Sequence, residues 1–137
     1  MKTRFSISFN LLQAKSIYNF NKQFNALEKI KKMNDELQKL QDKIVVLLRT
    51  VYDPEIPVNI YDLGLIYDVD IDDTNNVTIE MTFTSPSCPA ADFILMDVQM
   101  KIESIPEVNS VDLNLTFDPP WDKSMMSEEA LLELGFM

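Results

Sequence analysis

Leu37, Leu40, Ile44, Leu47 and Val51 recur at steps of three and four residues, which places them on one stripe of a helix. Asn34 or Asp35 can cap that helix, and it is predicted to run to about Tyr52. Pro54 and Pro57 end it, because proline fixes its own φ and pushes its predecessor out of the helical region. DPEIPVNI, residues 53–60, is therefore predicted to be extended or turned. Beyond Gly64 the period changes to two. Leu65, Tyr67, Val69 and Ile71 alternate with Ile66, Asp68, Asp70 and Asp72; then Val77, Ile79, Met81 and Phe83 alternate with Thr78, Glu80, Thr82 and Thr84. Alternation with one polar face predicts strands covered on one side only. The link DDTNN is polar and tolerant of turn geometry, so the two runs form a predicted antiparallel hairpin.

Helical spacing returns at Ala91, Leu95, Val98, Ile102 and Ile105 and stops at Pro106. A third alternating run comes next, with Val111, Leu113, Leu115 and Phe117 predicted to face inward. FDPPWDK is a loop stiffened by two prolines. Ser127 can then cap a last short helix with Glu128 and Glu129 in its first turn and Gly135 at its end. The order helix, strand, strand, helix, strand, helix predicts an α+β fold: a two-layer sandwich whose small, mostly antiparallel sheet is covered on one face by helices. Residues 33–137 form one such domain, and residues 1–32 precede it as a basic, loosely ordered extension.

Charge sharpens that division. Residues 1–32 carry seven basic groups against Glu28 alone, whereas the other 105 residues carry five against 21, within a net charge of −10. A body this acidic repels phosphate backbones, so nucleic acid is not an expected partner. The extension lacks the apolar run of a secretory signal, and it has one arginine where a transit peptide is arginine-rich. Met33 is an alternative start, since the residues after it read as the beginning of a domain. The apolar runs, such as IVVLL at 44–48, are too short for a membrane span. One cysteine permits no internal disulfide, which suits a reducing cytoplasm.

The same composition restricts chemistry. With no histidine there is no Cys-His or Ser-His pair, and with two glycines there is no phosphate-cradling loop. Cys88 remains, between Pro86 and Pro89. If a helix begins at Pro89, Cys88 is its N-cap, where free N–H groups and the helix dipole favour a thiolate, a soft metal ligand and nucleophile. A buried, inert sulfur is the alternative. Asp53, Glu55 and Asp62 are possible hard-metal ligands, but acids beside prolines more often cap turns. Trp121 is more often a packing anchor than a recognition residue.

Three segments together resemble the SufT/PaaD-type iron–sulfur cluster assembly family: DPEIPVNIYDLGLIYDV at 53–69, TSPSCP at 84–89 and DPPWDKSMMSEEA at 118–130. The resemblance spans about residues 36–137. It assigns motif roles to Asp53, Glu55, Pro57, Asp62, Leu63 and Gly64, to Thr84, Pro86, Cys88 and Pro89, and to Trp121, Met126 and Ser127. Ser87 departs from it, standing where members often have glycine. The resemblance implies a small cytoplasmic, non-enzymatic protein that helps deliver clusters to apo-proteins, with carrier or scaffold proteins and client enzymes as partners. With that role, Cys88 is the candidate transient cluster ligand.

One chain offers one thiolate where a cluster normally takes four, so a cluster would sit between two copies, with small thiols or Asp62 completing the set. Other readings are an adaptor that binds no metal, an oxygenase accessory subunit and a thiol enzyme. The oxygenase-associated members often carry an additional cysteine-rich stretch beyond the point where this chain ends, and a thiol enzyme would need a base that the sequence does not offer.

Overall fold

No glycine or proline occurs before Pro54, so nothing in the first fifty residues breaks a helix. The computed structural model describes residues 2–137, with side chains from Lys15 onward; Met1 and the side chains of residues 2–14, all within the expected extension, lie outside that description. Helix α1 accordingly runs without a stop from Lys2 to Leu48. Asn34 and Asp35 are interior residues of α1 and not its cap, because the competing backbone bonds of a continuing helix are available on both sides of them.

The chain forms two compact units, residues 1–38 and 39–137. The first is helical, and Phe20 and Phe24 stack with ring centroids 6.3 Å apart. Leu37, expected on the buried stripe, is exposed there.

In the second unit the last turns of α1 bury Leu40, Ile44 and Leu48, and Val51 turns inward after them while Leu47 is half-buried. Strands β1 (Ile66–Ile71) and β2 (Asn76–Met81) pair antiparallel from Ile71↔Val77 to Ile66↔Met81, the expected hairpin. Asn75 supplies the turn with φ 60°, a region that asparagine tolerates. A register shift between Ile66 and Asp68 interrupts the ladder at Tyr67. The tyrosine hydroxyl donates to the Pro119 carbonyl at 2.7 Å.

Helix α2 (Ala91–Glu103) then leads to β3 (Ser110–Leu115), which pairs parallel with β2 from Asn76↔Ser110 to Met81↔Leu115. The sheet, in order β1-β2-β3, is thus mixed: one ladder is antiparallel and one parallel. A parallel neighbour requires a crossover connection, and α2 is that crossover. Val77, Ile79 and Met81 face the core from the central strand, and Ile94, Val98 and Ile102 meet them from α2. On the edge strand only Val111 and Leu113 are half-buried; Leu115 and Phe117, expected inside, are exposed.

After a 3₁₀ turn (Lys123–Met125), Ser127 caps α3 (Glu128–Glu133), its Oγ accepting the Ala130 N–H at 3.2 Å. Among the described residues no helix is long and apolar enough to cross a membrane.

Candidate functional site

The first and third motifs meet in one clasp. Gly64 has φ +80°, and a Cβ there would lie 2.3 Å from the Met125 carbonyl oxygen, so both backbone conformation and space demand glycine. Trp121 Nε1 donates to the Leu63 carbonyl at 2.7 Å, and the Ser127 N–H donates to the Asp62 carbonyl at 2.8 Å. Met126 and Leu63 are core residues. Trp121 therefore anchors packing, the commoner of the two roles expected of it.

Two acids of the first motif, Asp53 and Asp62, are committed to the backbone and to neighbouring side chains. Asp53, almost fully buried, accepts the N–H groups of Glu55 (2.8 Å) and Ile56 (3.3 Å) and so closes the turn that Pro54 begins. Asp62 accepts Asn59 Nδ2 at 2.7 Å, and its own N–H donates to Asn59 Oδ1 at 2.8 Å. The Arg49 guanidinium stands 3.8 Å from the Asp62 carboxylate and 5.1 Å from the Tyr61 ring centroid. Asp62 is thus an internal tie of its loop, which weakens its claim as a ligand. Glu55 and Pro57 are exposed.

The Cys88 loop is different in kind. Thr84 and Cys88 are half-buried, while Pro86, Ser87 and Pro89 are exposed. The Cys88 side chain packs against the edge of the core. Helix α2 begins later than expected: Ala90 is its N-cap, and Cys88 stands two residues ahead of it. The Cys88 carbonyl accepts the Ala91 N–H at 3.3 Å, so Pro89 and Ala90 occupy a turn and not the first helical positions. Cys88 is therefore not the N-cap. Ser87 takes no positive φ, since Asn75 alone does so among the described non-glycine residues. Its N–H donates to Ser85 Oγ at 3.4 Å, and the substitution for glycine carries no backbone strain.

The start of α2 meets the first motif across a cleft of about 380 Å³, lined by Val51, Tyr52, Pro54, Ala90, Phe93, Ile94 and Asp97. Pro54 belongs to the DPEIP turn and Ala90 to the end of the Cys88 loop, so the fold brings these two segments side by side. Tyr52 and Phe93 escape a reading by periodicity because neither lies on an apolar stripe. The available signal is Phe93 itself, a large aromatic out of phase with Ala91, Leu95 and Val98. Among the described residues no group of three acidic or thiol side chains converges as a metal site.

The description "iron–sulfur cluster assembly protein" belongs to the family whose profile matches residues 41–113. An Fe–S protein maturation auxiliary factor of Porphyromonas gingivalis is 61% identical over 105 residues, which cover 77% of this chain and 100% of the relative. A factor of the same description from Bacillus subtilis, YitW, is 40% identical over 96 residues, covering 70% of this chain and 94% of its own. Among solved structures, a domain of unknown function from Bacillus anthracis superimposes with a TM-score of 0.68 at 42% identity, over 73% of this chain and 95% of that one.

Proposed function

Because this chain belongs to the iron–sulfur cluster assembly protein family, we propose that it is a maturation factor that assists delivery of clusters to apo-proteins. The observation that carries this reading is the match to the Porphyromonas gingivalis maturation factor along that protein's whole length. The cluster is cargo, and the chain performs no turnover of its own. Its partners are a carrier or scaffold protein that supplies the cluster and a client enzyme that receives it, both met in the cytoplasm.

Cys88 is the residue through which the chain touches the cluster. It is the one thiol available, and its loop is anchored at one end by β2 and at the other by α2. Since no group of three candidate ligands converges among the described residues and a cluster normally takes four, ligands must come from another molecule: a second copy, a small thiol, or the donor and acceptor proteins during transfer. Contact of that kind is transient by construction, because the chain alone completes no cluster site.

Anaerobic incubation with iron and sulfide tests the ligand role. Wild type is expected to develop a visible-absorbing species that Cys88→Ser does not form. In parallel, transfer from a loaded carrier to a client apo-enzyme is expected to fall in Cys88→Ser. Full client activity with that variant would remove the thiol from the mechanism and leave an adaptor without cluster chemistry.

A further inference from the structure

Phe93 is 77% exposed, Met96 61% and Met100 62%. They occupy i, i+3 and i+7 of α2, one helix face on the side away from the buried Ile94, Val98 and Ile102. Adjacent large apolar side chains left this open are characteristic of contact surfaces. The patch continues into the cleft beside the Cys88 loop, where Tyr52, itself 58% exposed, and Pro54 join Phe93 in the lining.

The two segments that form the patch carry acids and no basic residue of their own. Residues 50–56 and 88–100 contain Asp53, Glu55, Asp92 and Asp97 and no lysine or arginine. Asp53 is spent on its own turn, and Asp97 receives Lys101 at 3.2 Å, a lysine that also donates to the Thr50 carbonyl at 3.1 Å. Glu55 and Asp92 remain exposed beside the cleft's Pro54 and Phe93.

We propose that this cleft and the outer face of α2 receive a basic segment of a partner protein with a single apolar anchor. An aliphatic or aromatic side chain enters beside Tyr52 and Phe93, and flanking lysines or arginines meet Glu55 and Asp92. The inference rests on the proposed maturation role and adds to it the place where a carrier or client is held, beside the Cys88 loop.

A second acidic surface provides the control. On the open face of the sheet Asp68 stands opposite Glu80, and Asp112 pairs with Thr78. If charge alone governed binding, a basic segment would settle there.

The test titrates the ¹⁵N-labelled full chain with a synthetic peptide of lysines flanking one leucine and one tryptophan, monitored by backbone amide shifts. Shifts are expected at Tyr52, Ala90, Phe93 and Met96, with affinity about tenfold weaker in Phe93→Ser and unchanged in Leu132→Ser, which truncates an exposed leucine of α3. Shifts confined to Asp68, Glu80 and Asp112, or equal losses in the two variants, would overturn the proposal. So would a self-association of the full chain that Phe93→Ser abolishes, since a second copy would then occupy the face. Client maturation separates this inference from the role of the thiol. Normal maturation with Phe93→Ser sinks the docking surface and leaves Cys88 standing, whereas normal maturation with Cys88→Ser and unchanged peptide binding does the reverse.

Discussion

Between Tyr61 and Gly64 local bonds are joined by ties to distant segments: Asn59 and Arg49 engage the Asp62 carboxylate, Ser127 its carbonyl, and Trp121 the Leu63 carbonyl. Between Thr84 and Pro89 the ties are local and long, the Ser87 N–H to Ser85 Oγ at 3.4 Å and the Ala91 N–H to the Cys88 carbonyl at 3.3 Å. Both segments carry motif residues of one family, yet the first spends them on packing and the second holds a free thiol at the edge of the core. A motif is therefore not a list of ligands. Part of it shapes the frame, and part is what the frame presents.

The strongest way to break this contrast is Gly64→Ala. The methyl would overlap the Met125 carbonyl, and alanine at φ +80° is strained even in open space. A loss of about 3 kcal/mol or more is expected in urea unfolding, in the class of strained or overpacked sites. Wild-type stability would show that the clasp is slack. Trp121→Phe probes the same clasp more gently, keeping an aromatic ring but leaving the Leu63 carbonyl without its donor. It should cost about 1–2 kcal/mol by the same measurement.

Cys88→Ser belongs at the other pole. The side chain is half-buried at the edge of the core, and exchange of sulfur for oxygen there should shift stability by less than about 1 kcal/mol. Cluster transfer to a client should nonetheless collapse. A thermal melt and a maturation assay on one preparation sharpen the comparison directly: large stability loss with intact transfer would reverse the assignment of frame and presented group.

The frame was largely legible in the sequence because periodicity reports burial. The hairpin, α2 and α3 with its Ser127 cap stand where their patterns place them. The direction of β3 was not legible, since alternation records which face is covered and says nothing about the neighbouring strand's sense. Helix α1 outran its expected start because Asn34 and Asp35 are capable caps with no breaker before them to make capping necessary. In the site, the roles of Asp53 and Trp121 followed from ordinary preferences, whereas the position of Cys88 turned on a two-residue difference in where α2 begins. Pro89 suits the first position of a helix, but it suits a preceding turn equally well, and the Cys88–Ala91 bond selects the turn.

The smallest effect expected concerns a carboxylate that belongs to neither loop and calibrates both. Asp72 holds the hairpin turn by accepting the N–H groups of Asn76 and Thr74, both at 2.9 Å, with Asn76 Nδ2 on its other oxygen at 2.9 Å. Bonds from the Asn76 backbone, then from its side chain, lower its pKa from 3.8 to about 2. The folded chain thus prefers the ionised form more strongly than the unfolded chain does. The stabilisation is fully present above the ordinary carboxylate range and is lost as pH falls from about 4 towards 2. Asp72→Ala should lower stability slightly at pH 7 and flatten the acid limb of the stability profile within that window. An unchanged acid limb would show that these exposed bonds exchange freely with water, and that hydrogen-bond geometry alone does not mark a committed group in this fold.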